Sequence, residues 1–369
     1  MLRTGAAKAV QEIQRAKPPA PHQSDDSKFG RTRSDLAPIA SSFAPGRVSI
    51  IIPCYNNEDF VGEAIESALA QTWKDVEVIV VDDGSSDRSA EVISGYSDRV
   101  RCVRQRQKGA SAARNNGLSV AGGEFIQFLD ADDVLLPHSV NSRLEVLVDS
   151  EADAVFGDLD FGDDHFERVI SSSCHVEWPS ADPLAYLIRN NIYTEGPLHK
   201  RAHLYEIGGF DEGLPCSQEF NLHIRLFLHG ARFEYLQEIV ARAREHSGPN
   251  RINNVPWYLE DPELHLRIVD FHHQLVAGVD GEHLTPAVRE AFAFRLWSRG
   301  MIAGRTGAFD VARLYFRRAR DLAWPLRPVG SPLFRMTHAL VGPFPALWLL
   351  YQKQRALTAI NSRRQGRSG

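Results

Sequence analysis

No stretch of the 369-residue chain runs to about 18 consecutive apolar residues, the length a membrane-spanning helix needs. The nearest, Ala339 to Tyr351, is short and interrupted by Pro343 and Pro345. Cysteine is scarce: Cys54, Cys102, Cys174 and Cys216 stand far apart with no CxxC pair, which argues against a zinc knuckle or a disulfide scaffold. A reducing compartment is therefore expected. Positive charge is not in excess, since the formal net charge is −5, so general nucleic-acid binding is not indicated. The first forty residues hold no apolar segment of signal-peptide length, and a cytoplasmic location is expected. What is present is ordinary for a globular protein, with 43% hydrophobic and 24% charged residues. The length suits one large domain with an appendage, or two ordinary domains.

Residues 1–45 read as a disordered leader. The stretch from Lys17 to Asp26 is rich in Pro, Ser and charge, and cannot bury enough apolar surface to offset its ordering entropy. Val48-Ser49-Ile50-Ile51-Ile52 then reads as a buried strand stopped by Pro53. Val61, Ala64, Ile65, Ala68 and Leu69 mark one face of a helix. Val76 to Val81 is a second buried strand, and a helix follows to about Tyr96. A short strand at Val100–Val103, a helix from Gly109 to Ala121, a strand at Phe125–Leu129, a helix around Val140, Leu144 and Leu147, and a strand at Ala154–Phe156 continue the pattern. Strand–helix alternation of this kind implies an α/β fold with a mainly parallel sheet flanked by helices, and ligands beyond the strands' carboxyl ends. After about Trp257 the pattern turns helical, at Leu264–Val276, Pro286–Met301 and Gly307–Trp324. The expected division is a leader at 1–45, a catalytic domain at 46–255 and a helical C-terminal region at 256–369.

Two strands end in acid. Asp130 and Asp132, two residues apart on a turn after a strand, can converge on Mg²⁺ or Mn²⁺ through hard oxygens. An acidic loop with Asp133 capping the next helix fits the same residues. Asp83, in Asp82-Asp83-Gly84-Ser85, can accept from a ribose hydroxyl or a base N–H, or simply form a turn. Pro53 and Tyr55 end the first strand, where Tyr55 can stack on a base. Arg114 can steer a phosphate or hold the acidic loop.

Taken in order, Val48 to Asn56, Val80 to Asp87, Ala113-Arg114-Asn115 and Phe128 to Asp133 resemble the inverting family 2 glycosyltransferases of GT-A fold. Gly208-Gly209-Phe210-Asp211-Glu212 extends the resemblance. Beyond it Gln218-Glu219 stands where the family carries a Glu-Asp pair. The resemblance implies that Glu219 is the catalytic base and that Asp132, with Asp130 or His246, holds the metal. It further implies that Pro53, Tyr55, Asp83, Arg114 and Asp130 contact the nucleotide sugar, with UDP the favoured nucleotide. Asp130 is open to either role. The implied acceptor is a saccharide or lipid-linked hydroxyl in cell-surface polysaccharide or glycolipid synthesis. The stretch 156–200 carries no motif that specifies it.

A sugar-nucleotide-binding protein that has lost its base is the alternative that the Gln218-Glu219 departure motivates. A nucleotidyltransferase ranks below it, because no Gly-rich phosphate loop follows Val48. At the other end, residues 333–369 join apolar and aromatic residues to Lys353, Arg355, Arg363, Arg364 and Arg367 without an acid. Such a segment suits peripheral contact with an anionic membrane at its inner face, or a helix packed on the protein with a basic tail.

Overall fold

The structure is a computed structural model that describes residues 28–33, 43–175, 178, 181–245, 261, 263–278, 281–305 and 307–323. His246 and the segment 333–369 lie outside the described residues. The chain divides into two compact units, Ser27–Val255 and a second one comprising Met1–Asp26 with Pro256–Gly369.

The first unit is built on a nine-stranded sheet. Its strands are β1 (Ala44–Cys54), β2 (Val76–Asp82), β3 (Arg101–Arg104), β4 (Gly123–Phe128), β5 (Val134–Leu135), β6 (Ala154–Gly162), β7 (Val169–Ser172), β8 (Pro197–Lys200) and β9 (Phe233–Arg244). The order is β3-β2-β1-β4-β8-β6-β9-β5, with β7 on β6. β3, β2, β1 and β4 are mutually parallel. β8 runs antiparallel to both β4 and β6, while β6 and β9 pair in parallel. The fold is thus mixed, and its parallel half is the part announced by apolar strands followed by helices.

Ile50, Ile51 and Ile52 are all fully buried because both faces of the sheet are covered. Strand alternation sends Ile50, Ile52, Val78 and Val80 into one core. That core also holds Val61, Ala64, Ile65 and Ala68 of α1 (Val61–Leu69) and Val140 and Leu144 of α4 (Ser139–Asp149). The opposite face takes Ile51, Ile79 and Val81 against Leu118 of α3 (Ala110–Val120), Leu204 of α6 (Arg201–Glu206) and Leu222 of α7 (Gln218–Leu228). Two shorter helices, α2 (Ser89–Ser94) and α5 (Pro183–Arg189), complete the unit.

Order begins earlier than Val48. β1 starts at Ala44, whose N–H donates to the Gly122 carbonyl. Residues 28–33, expected to belong to a disordered leader, form a short strap. Gly30 and Arg31 donate their N–H groups to Asp211 Oδ2 and Oδ1 at 2.6 and 3.0 Å. The Glu212 N–H reaches the Arg31 carbonyl, and the Arg33 N–H the Gly208 carbonyl. Asp211 is fully buried, and these backbone donors solvate its carboxylate. Gly213 is required here, because a Cβ would lie 1.6 Å from the Lys28 carbonyl oxygen.

The second unit contains α8 (Leu264–Gly278), α9 (Pro286–Arg305) and α10 (Phe309–Leu322). Trp297 packs on Phe316 with ring centroids 4.5 Å apart, and Arg318 pairs with Asp270 at 2.7 Å. Among the described residues no helix is long and apolar enough to cross a membrane.

Candidate active site

β1, β2 and β4 run parallel, so the loops after them share one edge of the sheet. After β1, Asn56 adopts a left-handed φ of 49°. Its side-chain oxygen accepts from the Ser86 N–H at 2.7 Å, while its own N–H donates to Ser85 Oγ. Asn57 and Glu58 likewise donate to Ser89 and Asp87. The two loops are therefore one hydrogen-bonded unit, and Pro53 and Tyr55 sit half-buried at its base.

Asp83 is buried and accepts from Gln105 Nε2, the Lys108 N–H and the Gly109 N–H at 2.7–2.8 Å. It thereby fixes the loop that opens α3. Gly84, with φ of 78°, lets that loop approach, since a Cβ would meet the Gln107 nitrogen at 2.9 Å.

Beyond β4, carboxylate oxygens of Asp130, Asp132 and Asp133 come within 4.8 Å of one another. Asp133 does not cap α4, whose N-cap is His138; it accepts instead from the Arg244 N–H at 2.8 Å. Arg244 is fully buried. Its guanidinium donates to the Asp132 carbonyl at 2.7 Å and to Glu63 at 2.5 Å, stacked near the rings of Phe60 and Phe166. Burial first, then the charges of Glu195, Asp132 and Asp130, push the Asp133 carboxyl well above the usual carboxylate range.

Arg114 lies buried beneath this loop and donates to Asp130 Oδ1 at 2.5 Å and to Gln218 Oε1 at 3.0 Å. Burial opposes its charge, but the neighbouring Asp130 carboxylate outweighs that, and its pKa is raised. Gln218 in turn donates to the Leu214 carbonyl at 3.2 Å, so its side chain must both accept and donate. A glutamate could not do both while ionised, which gives the Gln218 departure a local reason. The next residue, Glu219, opens α7 within electrostatic reach of Arg114. Arg225, on the same helix, is occupied by Asn221 Oδ1 and the carbonyls of Ile207 and Gly209. The arrangement is an acidic loop and the first residue of a helix, Gln218, fastened to one guanidinium, with the Glu219 carboxylate next along that helix.

A family model for glycosyl transferase family 2 matches residues 49–203. The uncharacterised glycosyltransferase EpsJ of Bacillus subtilis strain 168 is 30% identical over 271 residues, covering 64% of this chain and 73% of EpsJ. The chain belongs to glycosyl transferase family 2. An uncharacterised glycosyltransferase of Rickettsia conorii is 31% identical over 220 residues, covering 56% of this chain. The matched region spans only 36% of that longer relative. In fold, S. aureus TarS residues 1–349 in complex with UDP-GlcNAc superposes with a TM-score of 0.61 at 17% identity, covering 84% of this chain and 92% of that 1–349 chain.

Within this glycosyl transferase family 2 chain, the structure brings Asp130, Asp132, Arg114 and Glu219 to one place. Pro53, Tyr55 and Asp83 line the adjoining strand ends. Arg114 gives Nη1 and Nη2, and Asp83 both carboxylate oxygens, to protein partners, so of their two expected roles, loop support is the one the geometry displays. Arg244 also points inward as support. His199 is buried and stacked on His223, with no part in the strand-end edge. Sequence reasoning missed Glu195. It lies 3% exposed just before β8, and its Oε1 accepts from the Asp130 N–H at 3.4 Å. Burial, then the charge of Asp130, raises its carboxyl well above the usual range. A lone glutamate before Gly196-Pro197 carries no pattern that would have flagged it.

Proposed function

We propose that the chain is an inverting glycosyltransferase, moving a sugar from a nucleoside-diphosphate sugar to a hydroxyl acceptor with Glu219 as general base. The observation that carries this reading is the Arg114 bridge, which ties the acidic loop at Asp130 to the start of the helix bearing Glu219. Glu219 stands in the first turn of α7, partly exposed, where its carboxylate can reach a hydroxyl. It takes the acceptor proton as the acceptor oxygen attacks the anomeric carbon. The bond to the diphosphate oxygen breaks on the opposite face, its electron pair leaves with the nucleoside diphosphate, and the configuration inverts.

Asp130, Asp132 and Asp133 fit a hard divalent cation, Mg²⁺ or Mn²⁺, by donor type and by spacing. Such an ion, when bound, offsets the charge of the departing diphosphate. Tyr55, Pro53 and the edge above Asp83 are proposed to hold the nucleoside. UDP-GlcNAc is the first donor to test, since TarS, which shares the fold, was solved with it. Residues 46–255 are proposed as the catalytic domain, 256–369 as a helical appendage, and a cell-surface glycan or glycolipid as the product class.

Incubation with UDP-sugars and Mn²⁺ tests the base. Glu219→Gln is expected to cut transfer by about 10²-fold or more while UDP still binds. Transfer unchanged in that variant removes Glu219 from the mechanism. Donor binding with no turnover in wild type favours instead the reading of a binding protein.

A further inference from the structure

We propose that Glu195 is a further member of the donor site, a floor carboxylate that helps hold the cation and diphosphate brought in by the nucleotide sugar. This rests on the glycosyltransferase reading above. Three features place it. Its side chain is buried, with Oε1 against the Asp130 N–H at 3.4 Å. Burying a carboxyl this thinly hydrogen-bonded is costly, and the Arg114 charge it shares with Asp130 offsets only part of that.

Second, its backbone is held with unusual firmness. The Glu195 carbonyl accepts from Gln127 Nε2 at 3.1 Å and from Arg143 Nη1 at 3.2 Å, and Arg143 Nη1 also reaches the Gly196 carbonyl at 2.5 Å. Arg143 and Gln127 are both fully buried, and Arg143 makes no ion pair with a described carboxylate; its charge is spent on aiming this one turn.

Third, the surroundings are short of positive charge. Asp130, Asp132 and Asp133 cluster beside Arg114, with Glu195 against the Asp130 N–H, while the nearby Arg244 guanidinium gives its charge to Glu63. A site with this balance is completed by a cation. Glu195 shares the one nearby guanidinium, Arg114, with Asp130, and the acidic loop rests on it through the Asp130 N–H.

The test is calorimetric titration of Mn²⁺ with UDP into the full chain, alongside melting of the ligand-free protein, for wild type, Glu195→Gln and Asp132→Asn. Glutamine keeps the acceptor for the Asp130 N–H and removes the charge. The expected result is binding weakened at least tenfold in Glu195→Gln, with an unliganded Tm equal to or above wild type. Affinity within threefold of wild type overturns the assignment, and so does weaker binding accompanied by a lower Tm, which is the mark of a structural role. If wild type itself binds no Mn²⁺ with UDP, the donor-site reading fails. If Asp132→Asn alone loses binding, only the role of Glu195 fails.

Discussion

At the scale of single residues, burial decides which ionisable groups can work. His199 and His223 stack with ring centroids 5.8 Å apart. Burial pushes His223 down to about 3, and burial aided by His223 and Arg143 holds His199 well below its ordinary value. Unfolded histidine titrates at about 6.5, so below that pH the unfolded chain binds protons that the native pair refuses. Stability is therefore complete above that pH and falls as pH drops toward the native value, by up to about 1.4 kcal/mol per pH unit for each histidine. Urea midpoints at pH 7 and pH 5 should show this loss, and His223→Phe should flatten the dependence whatever it does to absolute stability. An unchanged slope would mean the pair is hydrated.

The element that matters most between strand ends and chemistry is the turn Gly208–Gly213, which leads into α7 and Glu219. It is held from one side by Asn115 of α3, which exchanges hydrogen bonds with the Phe210 backbone at 2.8 and 3.0 Å. The strap at residues 28–33 holds it from the other. Replacing Asp211 by Ala strands the Gly30, Arg31 and Gly213 N–H groups, a penalty of about 1–3 kcal/mol for each left unsatisfied. Removing residues 1–33, or making Asp211→Ala, is expected to lower Tm by several degrees and to reduce transfer along with it. Differential scanning calorimetry checks the first expectation; an unshifted Tm in both variants would show that the strap contributes nothing. The strap was not readable beforehand. Lys28-Phe29-Gly30-Arg31-Thr32-Arg33 carries no regular pattern, and it is held by the Gly208–Gly213 turn, including a carboxylate some 180 residues away, the separation of Gly30 or Arg31 from Asp211.

At the scale of the whole molecule, the strands of the first unit most legible in the sequence are those buried on both faces, β1, β2 and β4. β1, β2 and β4 read as strands because continuous Val, Ile and Phe leave few alternatives. β7 is exposed along its length, β8 spans four residues, and β9 mixes Glu and Gln with apolar positions, so pairing rather than pattern makes them strands. The site divides the same way. Asp130, Asp132 and Glu219 were legible because their order along the chain resembles a family, whereas Glu195 and the inward turn of Arg244 depend on where distant strands bring them. The family and the fold place the molecule among glycosyl transferases, and the Arg114 bridge ties the Asp130 loop to the start of α7. The most direct measurement is release of nucleoside diphosphate from UDP-sugars by the purified chain in Mn²⁺, with and without EDTA, for wild type and Asp132→Asn. The account predicts turnover in wild type that EDTA abolishes and that Asp132→Asn loses; turnover indifferent to both the chelator and the substitution would contradict it.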